Sequence, residues 1–183
     1  MTMKTDQMLF ILPLRSILTC VVALALGPLP GISAAEMSDT EKRAKIEAMY
    51  RDYQKDFAGV EDIDPREAMK LLQEGKAVLV DVREEKEQQV SMLPGAITEK
   101  ELLSSPEKYR DRTLIGYCTI SYRSGKLAQK LKARGLSMLN LRGGLLAWVH
   151  DGGKVYDRNG ETRRIHVYGR KWNLGPKDYE AVW

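Results

Sequence analysis

The chain has 183 residues, 43% of them hydrophobic and 30% charged, with a formal net charge of +4. That length suffices for one domain with a substantial core. The charge is too small to argue for nucleic-acid or membrane binding, and two histidines with two cysteines make no metal cluster. There is no Gly-rich phosphate loop, internal repeat or low-complexity tract.

Residues 1–35 carry Lys4, an apolar run from Ile17 to Leu26 that includes Cys20, a Gly-Pro-Leu-Pro-Gly break and Ser33-Ala34-Ala35. This layout predicts a secretory signal cut after Ala35. Pro13 and Arg15 interrupt the apolar stretch that starts at Met8, leaving less than the roughly 20 apolar residues of a spanning helix. The expectation is a periplasmic or secreted protein with no stable membrane insertion after cleavage; anchoring by an uncleaved segment is the alternative. Cleavage leaves 27 basic and 24 acidic residues, a balance of +3, and Cys118 as the single cysteine. A disulfide framework wants an even number, so a lone thiol in an oxidising compartment is either buried and inert or reactive.

The first element after the signal, in a stretch assigned to residues 36–59, is a helix. Ser38-Asp39-Thr40-Glu41 has the form of a capping box, and Ile46, Met49, Tyr50, Tyr53 and Phe57 recur at helical spacing up to Gly59. This stripe reads as packing on the main domain, with a partner-binding face as the alternative. A domain over residues 60–152 follows. Asp64 caps a short helix with Pro65 in its first turn, Glu67 is expected to close a second box, and Gly75 ends it. Ala77 to Val82 is a nearly continuous apolar strand of the kind buried on both faces of a parallel sheet. After a charged segment from Arg83 to Gln89, Leu93-Pro94-Gly95-Ala96-Ile97 turns into another short apolar piece. Glu101 to Tyr109 reads as a helix broken at Ser104-Ser105-Pro106, Thr113 to Tyr117 as a second buried strand, and Leu127, Ala128 and Leu131 as the core face of a helix stopping at Gly135. Ser137 to Leu141 predicts a strand, Gly143-Gly144 a sharp turn, and Leu145 to Trp148 a last short helix.

Strands and helices alternate, which predicts an α/β domain with a mainly parallel sheet flanked by helices on both faces. Residues 153–183 extend it. There Val155 to Gly160 and Arg163 to Tyr168 read as a hairpin turning on Asn159-Gly160, followed by Trp172, Tyr179 and Trp183. The tail is expected to pack back on the domain and could cover the mouth of the site. If a protein partner binds, the N-terminal helix and this tail are the expected surfaces.

Cys118 lies between a strand end and a helix start, where sites form in such sheets and where unpaired N–H groups and the helix dipole favour a thiolate. Neither histidine is near it in sequence. Asp81 and Arg83 read as a scaffold ion pair, Tyr117 and Trp148 as core, and Ile120 and Tyr122 as the lip of a pocket.

Four segments resemble the rhodanese-like sulfurtransferases: Val80-Asp81-Val82-Arg83, Leu93-Pro94-Gly95-Ala96, the Cys-x4-Arg loop Cys118 to Arg123 followed by Ser124-Gly125, and Leu141-Arg142-Gly143-Gly144 with Trp148. The order is that of the family, and the resemblance covers residues 60 to 150. Ser91-Met92 stands where the family often has Gly-His, a change at the turn. The resemblance implies a rhodanese-like fold and a persulfide on Cys118 as catalytic nucleophile. The donor is a small sulfur-containing anion such as thiosulfate, and the acceptor a thiol or cyanide. Backbone N–H groups of Thr119, Ile120, Ser121, Tyr122, Arg123 and Ser124 would bind substrate, with Arg123 adding charge or tying the loop together, Asp81 and Arg83 in support, and no cofactor or metal. Phosphatases of this fold have a Cys-x5-Arg loop, one residue longer, so the shorter loop favours sulfur over phosphate. A sulfane-sulfur carrier or sensor that serves a partner protein without turnover is the other alternative.

Overall fold

A computed structural model describes residues 36–183; the expected signal segment, Cys20 included, lies outside the described residues. Among these, no helix is long and apolar enough to cross a membrane. Five strands form the central sheet: β1 (Asp62–Ile63), β2 (Ala77–Asp81), β3 (Ile97–Thr98), β4 (Thr113–Tyr117) and β5 (Leu139–Leu141). Their order is β1-β5-β4-β2-β3 and every pairing is parallel. The sheet is therefore parallel throughout, as the alternation of elements predicts. β2 is buried along its whole length because helices cover both faces. Leu79, Ile115, Tyr117, Leu141 and Trp148 belong to one core cluster, whereas Val78, Val80, Leu114, Leu127 and Leu131 belong to the other. Period-2 alternation along each strand divides them this way. Asp81 pairs with Tyr117 at the carboxyl ends of β2 and β4, so Cys118 emerges in the middle of the sheet's carboxyl edge.

The helices are α1 (Asp39–Tyr53), α2 (Pro65–Gln73), α3 (Glu85–Gln88), α4 (Glu99–Ser104), α5 (Tyr122–Lys132) and α6 (Gly144–His150). At α1 the capping box forms as expected: the Ser38 hydroxyl accepts from the Glu41 N–H, and the Glu41 carboxylate accepts from the Ser38 N–H at 2.7 Å. Ile46, Tyr50 and Phe57 bury the apolar stripe of α1 and the 3-10 turn behind it. Contact is close enough that a Cβ on Gly125 of α5 would sit 2.6 Å from the Phe57 ring. The N-terminal segment is thus part of the core.

Several expectations change in detail. Asp64 accepts the Arg66 N–H at 2.9 Å, but Glu67 is exposed and closes no box. The helix expected from Glu101 starts at Glu99, because Thr98 and Glu101 form a capping box; Pro106–Tyr109 is a separate 3-10 turn. The charged segment after β2 contains α3, whose period was hidden by its shortness. The hairpin pairs β6 (Val155–Asp157) with β7 (Gly160–Thr162), so Arg158-Asn159 forms its tip. Asp157 accepts the Asn159 N–H at 2.7 Å, an Asx turn that shifts the bend one residue upstream of the expected Asn-Gly. Residues Arg164–His166 instead form β8, parallel to β9 (Glu180–Val182). The tail nonetheless packs back: Val155, Ile165, Val167 and Leu174 join the same core as Trp148.

Candidate active site

The loop after β4 is held from beneath by α6. The Cys118 carbonyl accepts the Leu145 N–H at 2.9 Å, and the Thr119 carbonyl accepts the Leu146 N–H at 3.2 Å. These are N–H groups of a helix's first turn, which have no partner inside their own helix. Gly143 and Gly144 make the approach possible, with φ of +66° and +58°. A Cβ on Gly144 would lie 2.4 Å from the Cys118 carbonyl oxygen and 3.0 Å from the nitrogens of Ile120 and Ser121.

Ser121 has φ +76°, unusual for a residue with a side chain. It is pinned there on both sides. Its hydroxyl donates to the Leu141 carbonyl, and its carbonyl accepts from the buried Asn140 amide at 3.1 Å. The Ser124 hydroxyl donates to Asn140 Oδ1 at 2.6 Å. The side chains of Ser121 and Ser124 are therefore structural, leaving only their N–H groups for a ligand. The first N–H after Cys118 to find a main-chain acceptor is that of Gly125, on Ser121 O at 3.1 Å. The N–H groups from Thr119 to Ser124 open the N-terminal turn of α5, where the helix dipole favours an anion.

Arg123 makes a fork to Glu87, with Nη1 to Oε2 at 2.6 Å and Nη2 to Oε1 at 2.7 Å. Tying the loop through its carbonyls is thus not its role; it ties the loop to α3. Burial alone would raise the Glu87 carboxyl, but the bonds from Arg123 and the Glu84 N–H outweigh it and hold the group below the usual carboxylate range. Burial opposes the charge of Arg123 as well, yet Glu87 and the neighbouring Cys118 sulfur keep it firmly protonated. The His166 Nδ1 lies 3.7 Å from Glu87 Oε1 and accepts the Tyr168 N–H at 3.1 Å. His166 thus packs beside Glu87 without a hydrogen bond to it.

Asp81 and Arg83 form a fully buried pair, Nη2 to Oδ2 at 2.7 Å, and Arg83 Nη2 also donates to the Ser91 carbonyl at 2.6 Å. The Tyr117 hydroxyl donates to Asp81 at 2.6 Å and accepts the Leu93 N–H at 3.1 Å. Burial, reinforced by Asp81, pushes the Tyr117 phenol well up and keeps it neutral. These residues lock the end of β2 to the Pro-Gly turn. Arg83 Nη1 is buried without a protein partner.

A cavity of about 380 Å³ opens above Cys118, lined by Tyr53, Cys118, Thr119, Ile120, Tyr122, Arg123, Tyr168 and Trp172. Among the described residues, no group of acidic, histidine or cysteine side chains is placed to hold a metal.

The model of the rhodanese-like domain matches residues 64–151. These residues form a rhodanese-like domain. The match includes Cys118, Arg123, Glu87 and Gly144. No curated protein matches the chain. Among solved structures, the BH2092 protein of Bacillus halodurans is similar at 22% identity, covering 62% of this chain and 87% of its own, with a TM-score of 0.48. A rhodanese-related protein of Thermoplasma volcanium gives 22%, 52%, 96% and 0.46 for the same measures. A thiosulfate sulfurtransferase of Pseudomonas aeruginosa gives 20% identity, 70% of this chain, 25% of its own and a TM-score of 0.46.

Not all of the site belongs to the rhodanese-like domain. Tyr53 precedes the matched residues, and Tyr168 and Trp172 follow them. Sequence reasoning missed Glu87, Asn140 and His166. Asn140 carried a signal, as a polar residue inside a buried strand, whereas Glu87 was concealed in a run of solvent-type charges.

Proposed function

We propose that the protein is a sulfurtransferase that carries sulfane sulfur as a persulfide on Cys118. The supporting observation is that this thiol lines a cavity together with Arg123, in the loop that leads into the N-terminus of α5. In the forward step the Cys118 thiolate attacks the outer sulfur of thiosulfate. A Cys–S–S bond forms, the S–S bond of the donor breaks, and its electron pair leaves with sulfite. An acceptor thiolate or cyanide then attacks the terminal sulfur and returns Cys118 as thiolate.

The loop N–H groups from Thr119 to Ser124 are suited to hold the persulfide anion without a general base. Arg123 keeps donors that Glu87 does not use, and its fixed charge favours the anionic donor and the departing sulfite. Asp81 and Arg83 support the loop through the end of β2. No cofactor is needed for either step. Export through the N-terminal signal is part of the same reading, and would place the reaction in the periplasm or outside the cell. Turnover with thiosulfate and cyanide tests it: steady release of thiocyanate supports an enzyme, whereas one sulfur retained on Cys118 without turnover would support a carrier.

A further inference from the structure

The walls of the Cys118 cavity are aromatic, and three of the four rings come from outside the rhodanese-like domain. Tyr53 ends α1 and stands edge-on to Tyr122, with centroids 5.2 Å apart. Tyr168 and Trp172 come from the tail and meet edge-on, also at 5.2 Å. A bare inorganic anion would make no use of these rings. The volume of about 380 Å³ falls in the range of roughly 300–1,000 Å³ typical of sites for organic ligands.

Aromatic walls alone would also suit a cation. Here that role is already filled. Arg123 lies 5.3 Å from the Tyr168 centroid and Lys171 lies 4.8 Å from the Trp172 centroid, while the one buried carboxylate of the network, Glu87, is paired with Arg123. A cationic ligand would meet Arg123 in the cavity lining and no free acid. An anionic head on a flat apolar body finds complementary groups in the same cavity, the loop N–H groups and Arg123 for the head and the aromatic side chains for the body.

Resting on the sulfurtransferase reading, we propose that the N- and C-terminal extensions make the site select organic sulfane-sulfur anions with a flat apolar substituent, of the thiosulfonate type R–SO2–S⁻, over thiosulfate. The Cys118 thiolate attacks the outer sulfur, the new Sγ–S bond forms, and the S–S bond of the donor breaks with its electron pair leaving on the sulfinate R–SO2⁻. Charge and atoms balance without an oxidant or reductant.

Two measurements on the full chain test this. Calorimetry on Cys118→Ser compares benzenesulfonate with methanesulfonate, unreactive ligands that differ in the substituent; benzenesulfonate is expected to bind about tenfold tighter, the scale of one or two aromatic contacts. Separately, kcat/KM for benzenethiosulfonate relative to methanethiosulfonate is compared between the native chain and Trp172→Ala or Tyr53→Ala. The variants cancel the intrinsic reactivities of the donors, and the ratio is expected to fall by about five- to tenfold in each. Equal affinities for the two sulfonates, or a ratio unchanged in both variants, overturns the selectivity while leaving the persulfide intact. Absence of added sulfur on Cys118 with every donor, read by mass, overturns the sulfurtransferase reading and this inference with it.

Discussion

Arg83 and Arg123 look alike in sequence but differ in what they hold. Arg83 and Asp81 are fully buried, so Arg83→Ala leaves a carboxylate without its countercharge, and a loss of about 3–5 kcal/mol is expected in chemical denaturation. Arg123 is 30% exposed and water offsets part of its loss, so Arg123→Ala should cost less, about 2 kcal/mol. Arg123→Lys keeps the charge but not the fork to Glu87. Its persulfidation rate with thiosulfate is expected to fall on the order of tenfold, with stability less affected than in the alanine variant. Equal rates for the native chain and Arg123→Lys would show that charge alone suffices. Gly144→Ala probes the loop from below: its Cβ would collide with the Cys118 carbonyl at a φ of +58°. About 1–3 kcal/mol of stability should go, together with most persulfidation, as the N–H groups of the loop lose their alignment.

At the scale of elements, what was legible in the sequence was whatever one period or one cap decides. β2 and β4 were legible because unbroken apolar runs leave no other placement, and α1 because Ser38 and Glu41 announce it. β1 has only two residues and α3 only four, too few for a period to show. β8 pairs with β9 across the tail, a parallel contact that no local pattern encodes. For the same reason the thiol and its loop were visible as a contiguous motif. The rest of the site was not, because Glu87, Asn140, His166, Tyr53, Tyr168 and Trp172 meet it only through tertiary packing. The tail also fills the core with Val155, Ile165, Val167 and Leu174. Ending the chain after Gly153 removes them all, at about 2–5 kcal/mol for each large side chain lost. Such a chain is expected to lose cooperative unfolding in urea, and native-like unfolding would contradict the packing described.

For the molecule as a whole, burial makes acid the destabilising direction. It holds the imidazoles of His150 and His166 below their ordinary value, so the folded state keeps them neutral while the unfolded chain takes up protons near pH 6.5. Their contribution is complete above about pH 6.5 and is lost as the pH falls through their lowered folded values. Glu87 opens a second window: its lowered carboxyl contributes above about pH 4.3, and that part is lost as the pH falls through its folded value. Urea midpoints should therefore fall from about pH 7.5 to about pH 5, and replacing both histidines by glutamine should flatten that limb. A rising midpoint on acidification would contradict the assignment.

The central claim is that Cys118 carries sulfur. Intact-mass analysis of the full chain after exposure to thiosulfate, beside Cys118→Ser, tests it most directly. The native chain is expected to gain the mass of one sulfur atom, released on adding cyanide, and the serine variant none. A native chain that gains no sulfur, or a serine variant that gains as much, would contradict the account.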